Sequence, residues 1–252
     1  MSKIIAVYSV VQGSGAKFLS TNLAYSFSKR YPDAKIALVD FDFRFPYLAS
    51  AIAPKDEAHG IDNLIDKIDG GFLDRILFEE NMIKVKNGIS LLKGTKLQNN
   101  YSLIKKEHIE TTIALLKEVY DYIFIVANSE FDTSASIFSC INADEIVLVG
   151  QPNYSTYLAL DKVCRRVNHY AKSSCRRWFA FNFYFDSKNV DLKQSIKNNN
   201  LEVLGLVPFN EEWVDNFNLK ENYMNVKNVI NIKNSNSRES LSPFDLMVNK
   251  LS

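Results

Sequence analysis

The stretch Val10–Phe18, VVQGSGAKF, decides how the rest of the chain is read. Before it runs KIIAVYS (residues 3–9), a short apolar segment with β-branched side chains, as in a buried strand. After it, FLSTNLAYSFSKR (18–30) sets Phe18, Leu19, Leu23, Ala24 and Phe27 at helical spacing. A strand, then glycines, then a helix start is the construction that turns backbone N–H groups and the positive end of a helix dipole toward an anion. Gly13 and Gly15 allow the backbone to approach such a ligand closely. The loop alone leaves two readings open, a phosphate cradle and a glycine-rich turn that binds nothing.

Outward from the loop, strands and helices alternate. KIALVDFDF (35–43), GISLLKG (88–94), DYIFIVAN (121–128), DEIVLVGQP (144–152), RWFAFNFYF (177–185) and EVLGLVPF (202–209) read as strands. GIDNLIDKI and FLDRILFEE read as short amphipathic helices, and residues 107–120 and 154–171 as longer ones. The strands are apolar on both faces, which requires cover on both sides. The expected fold is therefore α/β, a three-layer sandwich around a mostly parallel sheet, with residues 1–252 as a single domain. Ligands of such folds bind where loops leave the C-terminal ends of the strands.

Bulk properties restrict the function classes. A formal net charge of +1 gives no global field toward nucleic acid or an anionic membrane. The three cysteines, Cys140, Cys164 and Cys175, are odd in number and lack metal spacing, as in a reduced cytoplasmic chain. The first residues are too short and too β-branched an apolar run for a signal peptide, and no apolar run reaches the roughly 18 residues of a membrane span. His59, His108 and His169 are scattered and form no nucleophilic grouping. Asn-rich residues 225–240 read as a solvated loop.

The chain resembles the ParA/MinD family of deviant P-loop ATPases along nearly its whole length. In that family the first strand runs into a loop K-G-G-x-G-K-[ST]-[ST] and a helix containing Asn-Leu-Ala, here Asn22-Leu23-Ala24. Counted from the strand or from the helix, the register is the same and has no gap. Gly13 and Gly15 fall on loop glycines, Val11 on the signature lysine that reaches a partner's nucleotide, and Ala16 on the phosphate-binding lysine. Lys17 falls on the hydroxyl residue that holds Mg²⁺, and Phe18 on the next Ser/Thr. The resemblance thus implies a nucleotide loop of Gly13, Ser14, Gly15, Ala16, Lys17 and Phe18. Its lysine lies one place late, where the helix aims it differently. LVDFDFRFPYL (38–48) is similar to the family's second motif, with Asp40 and Asp42 matching the acidic pair that holds Mg²⁺ and positions water. YDYIFIVANSE (120–130) is similar to the third motif, but Val126 stands where the family has an Asp. Solvated carboxylates at a strand end are the plain alternative for Asp40 and Asp42.

The distal half continues the resemblance. Asn182 lies where relatives read the adenine edge, and LGLVPFNEEWVDN (204–216) is similar to the segment that wraps the base, so Asn182, Pro208 and Phe209 would frame a base pocket. A buried Asn satisfied by backbone is the plain alternative for Asn182. The middle section, residues 60–94, is similar to the pilus-assembly branch called CpaE or TadZ, although that branch commonly carries an N-terminal receiver-like domain. Asp40–Pro46 is also similar to a motif of bacterial tyrosine kinases, which need the loop lysine and a C-terminal tyrosine cluster.

The expectation is a ParA/MinD-like protein with a degenerate ATP site, weak or absent hydrolysis, and a role as a localisation or assembly scaffold for pilus or secretion machinery. ATP or ADP is the implied ligand; Mg²⁺ is in doubt because the residues that would hold it are largely replaced. Its partners would be proteins of a membrane-associated assembly at the inner face of the membrane, or a second copy as a homodimer. Two alternatives stay open. One is an active ATP-dependent switch in which Lys17 replaces the missing lysine. The other is a partition protein binding DNA nonspecifically through Arg165, Arg166, Arg176 and Arg177. The near-zero net charge favours a solvated basic face over nucleic-acid contact. Trp178 reads as core. The tail SPFDLMVNKLS (242–252) sets Phe244, Met247, Val248 and Leu251 on one helix face, read as packing onto the domain rather than inserting into a membrane.

Overall fold

A computed structural model describes residues 2–53, 60–96, 101–185, 192–210 and 242–252. The Asn-rich stretch 225–240 and residues 211–216 of the base-wrapping segment lie outside them.

The strands are β1 Lys3–Ser9, β2 Ile36–Phe41, β3 Ile83–Lys84, β4 Ile89–Leu92, β5 Tyr122–Ala127, β6 Glu145–Gly150, β7 Arg176–Tyr184 and β8 Glu202–Pro208. They form one sheet in the order β3-β4-β2-β5-β1-β6-β7-β8. Every pairing is parallel except the edge pair β3–β4. The helices are α1 Ala16–Arg30, α2 Leu48–Ile52, α3 Ile61–Asp69, α4 Arg75–Glu80, α5 Lys106–Val119, α6 Ser134–Asn142, α7 Tyr154–Tyr170, α8 Leu192–Asn198 and α9 Pro243–Leu251.

The double-sided apolar strands do what the sequence requires. Successive side chains point to opposite faces. On β1, Ile4, Ala6 and Tyr8 enter one core while Ile5 and Val7 enter the other. On β5, Ile123 and Ile125 face one way and Phe124 and Val126 the other. Buried residues of α3 to α8 cover the first face. Residues of α1, α2 and α9 cover the second. The three-layer α/β sandwich with a mostly parallel sheet is thus the observed fold.

Four short elements are not apparent in the sequence reading: α2, β3, α6 and α8. The serine-rich α6 has a weak apolar period and owes its start to Thr133, whose Oγ1 accepts from the Ser136 N–H at 3.1 Å. The tail does form a helix. Ser242 caps α9 by accepting from the Asp245 N–H at 3.2 Å, with Pro243 in the first turn. Phe244, Met247, Val248 and Leu251 are all buried against the second face. Trp178 is core as well, its indole N–H donating to the buried Glu145 carboxylate at 2.5 Å. The three cysteines are free and buried, and burial raises their thiols to about 12, 12 and 11 for Cys140, Cys164 and Cys175. Among the described residues no helix is long and apolar enough to cross a membrane.

Candidate functional site

The central strand β1 delivers the glycine loop. After Ser9 the chain keeps one more ladder bond, Val10 N–H to the Val149 carbonyl at 2.8 Å, and then turns. Gly13 and Gly15 both adopt positive φ, +82° and +99°, which favours glycine over other residues. Gly15 is the N-cap of α1. Gly15 has no side chain to cap the helix, the Ser9 hydroxyl accepts the Ala16 N–H at 3.4 Å, and no acidic residue occupies the first turn. No acidic side chain in that turn offsets the positive end of the helix, which is the electrostatic setting for an anion.

Asn182, on β7, faces the same side of the sheet as α1. It is fully buried, and its Nδ2 donates to the Ser14 carbonyl at 2.9 Å. A side chain added at Gly15 would meet that Nδ2 at 2.0 Å, so the glycine and the asparagine fit only as a pair. Among the described residues, the Oδ1 of the same amide is buried without a hydrogen-bond partner. Pro208 pairs with Tyr184 at the ends of β8 and β7, two residues beyond Asn182, and the Phe209 N–H donates to the Tyr184 carbonyl at 3.1 Å. The Phe209 ring is half exposed and meets Phe183 edge to face.

The acidic pair sits on the other side of the loop strand, two strands away. Asp40, one residue before the end of β2, pairs with Val126 of β5, and Val126 in turn pairs with Val7 of β1. Val126 thus stands in the strand between the loop and the carboxylates, a buried apolar side chain. Asp40 is fully buried; its Oδ2 accepts the Leu48 N–H at 2.9 Å and its Oδ1 the Asp42 N–H at 3.3 Å.

Lys17 joins these parts. From the first turn of α1 its ammonium donates to Asp42 Oδ2 at 2.6 Å and stands 4.0 Å from Asp40 Oδ1. The lysine is therefore turned to the carboxylates. The other side chains of the loop divide. Ala16 is buried, Ser14 is buried, and Phe18 packs into the second core against Phe244, ring centres 5.8 Å apart. Val11 leans partly on the first core.

Sequence reasoning placed the loop and both carboxylates but not the Lys17–Asp42 pair, nor the clasp of Asn182 on the loop. A cation at the position where the resemblance expects a metal-holding hydroxyl was the available signal for the first. The basic run does not converge on a surface of its own. Arg166 donates to Glu130 at 3.0 Å and Arg177 to Asn168 at 2.6 Å. Arg176 lies over the Trp178 ring with its guanidinium carbon 4.4 Å from the ring centre, and Arg165 is exposed.

Burial pushes the Asp40 carboxyl up to about 6, with the Lys17 ammonium and the Leu48 N–H pulling the other way. The folded-state value lies above the ordinary 3.8, so ionising Asp40 costs the fold stability. That cost is absent below pH 4, grows as the pH rises, and is complete above about 6. Compared with Asp40→Asn, the wild-type chain is expected to lose about 3 kcal/mol between pH 4 and pH 7 in denaturant unfolding. A stability difference between the two that does not change with pH would show that Asp40 keeps its ordinary titration.

No protein-family model and no curated protein sequence matches the chain. Solved structures do. A ParA family ATPase from Chlorobium tepidum superposes with a TM-score of 0.79 at 16% identity, covering 99% of this chain and 98% of that one. MinD in a MinC:MinD cell division complex from Aquifex aeolicus gives 0.75 at 17%, covering 99% and 95%. A septum site-determining protein MinD from Pyrococcus horikoshii, complexed with Mg-ADP, gives 0.72 at 15%, covering 100% and 96%. The chain has the ParA/MinD P-loop NTPase fold.

Proposed function

We propose that this chain is a ParA/MinD-type protein with a degenerate nucleotide site, which acts by binding and positioning rather than by hydrolysis. The observation that carries the reading is the Lys17 ammonium 2.6 Å from Asp42, on the residue where the resemblance expects the hydroxyl that holds Mg²⁺. A dication placed between Asp40 and Asp42 would meet a resident cation, so this donor set does not fit Mg²⁺. Ala16 offers no charge to the phosphates, and Val126 no carboxylate to a metal's water shell. What is retained suits a polyphosphate: two positive-φ glycines, a helix start with no acidic residue in its first turn and the Asn182 clasp. ATP or ADP would lie over Gly13–Lys17 with its base toward Asn182, Pro208 and Phe209.

The role that follows is a localisation or assembly scaffold for pilus or secretion machinery, held at the inner face of the membrane by protein partners. The pilus assignment draws on the similarity of residues 60–94. Docking by protein partners draws on α7, where Tyr154, Tyr157 and Leu158 are exposed side by side. Homodimerisation would proceed through apolar surface, since Val11 cannot reach a partner's phosphate. The dispersed partners of Arg166, Arg176 and Arg177 speak against a DNA-binding stripe.

Titration calorimetry with ATP and ADP, alongside a phosphate-release assay, tests the core of the proposal. The expected result is nucleotide binding with no turnover above background. Robust Mg²⁺-dependent hydrolysis that disappears in Lys17→Ala would establish the active-switch reading instead. Crosslinking in the native cell, with recovery of pilus or secretion-machine components, tests the scaffold role.

A further inference from the structure

We infer that Lys17 is the resident cation of this site: its ammonium takes the place of the divalent metal between the acidic pair and the phosphates, so the loop binds a nucleoside di- or triphosphate free of metal. The inference rests on the proposed nucleotide-binding role of the loop and specifies how the site handles charge.

Three observations carry it. The first is position. Lys17 lies in the first turn of α1, two residues after the Gly15 cap, yet its side chain reaches the strand-end carboxylates of β2. Its side chain therefore runs from the helix start, where an anion would lie, to the acidic pair, where a metal would be held. The second is donor count. An ammonium carries three N–H groups. Among the described residues one is used on Asp42 at 2.6 Å, and Asp40 Oδ1 at 4.0 Å is beyond hydrogen-bond range. Donors therefore remain for phosphate oxygens from an atom already anchored. The third is an unanswered acceptor. Asn182 is fully buried beside the loop with Nδ2 on Ser14, and its Oδ1 has no partner among the described residues. A buried carbonyl left open in this way points to a ligand donor rather than to a closed structural bond.

The charge balance is consistent with this arrangement. Asp40 and Asp42 flank one fixed positive charge that is partly shielded, the lysine side chain being 19% exposed and those of Asp40 and Asp42 0% and 17%. A metal ion entering the same space would be repelled by the ammonium at close range, and the ammonium could leave only by breaking a short charge-assisted bond. The lysine does not thereby replace the missing phosphate lysine as a free charge. It acts as the metal does, tethered to carboxylates on one side and presenting positive charge on the other.

The test is binding of fluorescent N-methylanthraniloyl ADP and ATP to the full chain, titrated in EDTA and in Mg²⁺. The wild-type affinity is expected to be unchanged between the two. Lys17→Thr is expected to bind at least about tenfold more weakly in EDTA and to regain affinity in Mg²⁺. Lys17→Arg keeps the charge and is expected to retain binding in EDTA, so it carries the test if the threonine variant does not fold. Wild-type binding that requires Mg²⁺ overturns the inference while leaving the nucleotide reading standing. Lys17→Thr binding that is as tight in EDTA as the wild type also overturns it. Absence of binding in both buffers overturns the nucleotide reading itself and this inference with it.

Discussion

Gly15→Ala is expected to destabilise the fold by about 3 kcal/mol and to abolish nucleotide binding, because two independent costs fall on one methyl group. The first is conformational. Gly15 sits at φ +99°, where a Cβ strains against its own backbone. The second is steric. The new Cβ would lie 2.0 Å from Asn182 Nδ2 and 3.0 Å from its Cγ. Asn182 cannot swing away cheaply, since it is fully buried and bonded to the Ser14 carbonyl. Gly13 provides the contrast. It has a positive φ of +82° but, among the described residues, no atom within 4 Å of an added Cβ. Gly13→Ala is therefore expected to cost only about 1 kcal/mol. Urea unfolding of both variants, with the Gly15→Ala/Asn182→Ala double variant, separates the terms. Truncating Asn182 should relieve the clash, making the double variant about 1–2 kcal/mol more stable than the sum of the singles. Strict additivity would mean that Asn182 does not hold the loop.

Met247→Asp is expected to cost about 4 kcal/mol or more, enough to leave many domains of this size unfolded. Met247 is fully buried on the inner face of α9, between α1 and β8. Gly205 on β8 lets it close in: a Cβ there would meet the Met247 methyl at 2.7 Å. A carboxylate in that place has no partner and no water. Asn249 points outward on the same helix, and Asn249→Asp should change stability by no more than about 0.5 kcal/mol. Thermal unfolding of the two variants distinguishes docking of α9 from a membrane-seeking tail. A tail that bound lipid would leave Met247→Asp stable and deficient only in vesicle binding.

Much of this was legible in the sequence because local patterns report burial. Apolar strands between helical periods required a sheet covered on both faces, and the spacing of Phe244, Met247, Val248 and Leu251 required a helix with one buried side. Short elements such as β3 and α8 were not legible, since two to seven residues carry too little period and are held by their neighbours. At the site, the loop and both carboxylates stood out as residue types at a spacing. Their relations did not.

What the sequence by itself determined is the strand–glycine–helix unit, the two-sided character of the strands and the absence of a lysine at Ala16 and of a carboxylate at Val126. These are properties of each residue and its near neighbours. Only the tertiary structure decided that β5 lies between β1 and β2, which sets Val126 beside Asp40. It also brought the Lys17 ammonium onto Asp42, and Asn182 onto a loop 168 residues earlier in the chain. The reason is physical: strand order brings distant groups together, and in the largely dry space it encloses an ammonium and a carboxylate bind each other where separate groups in water would not.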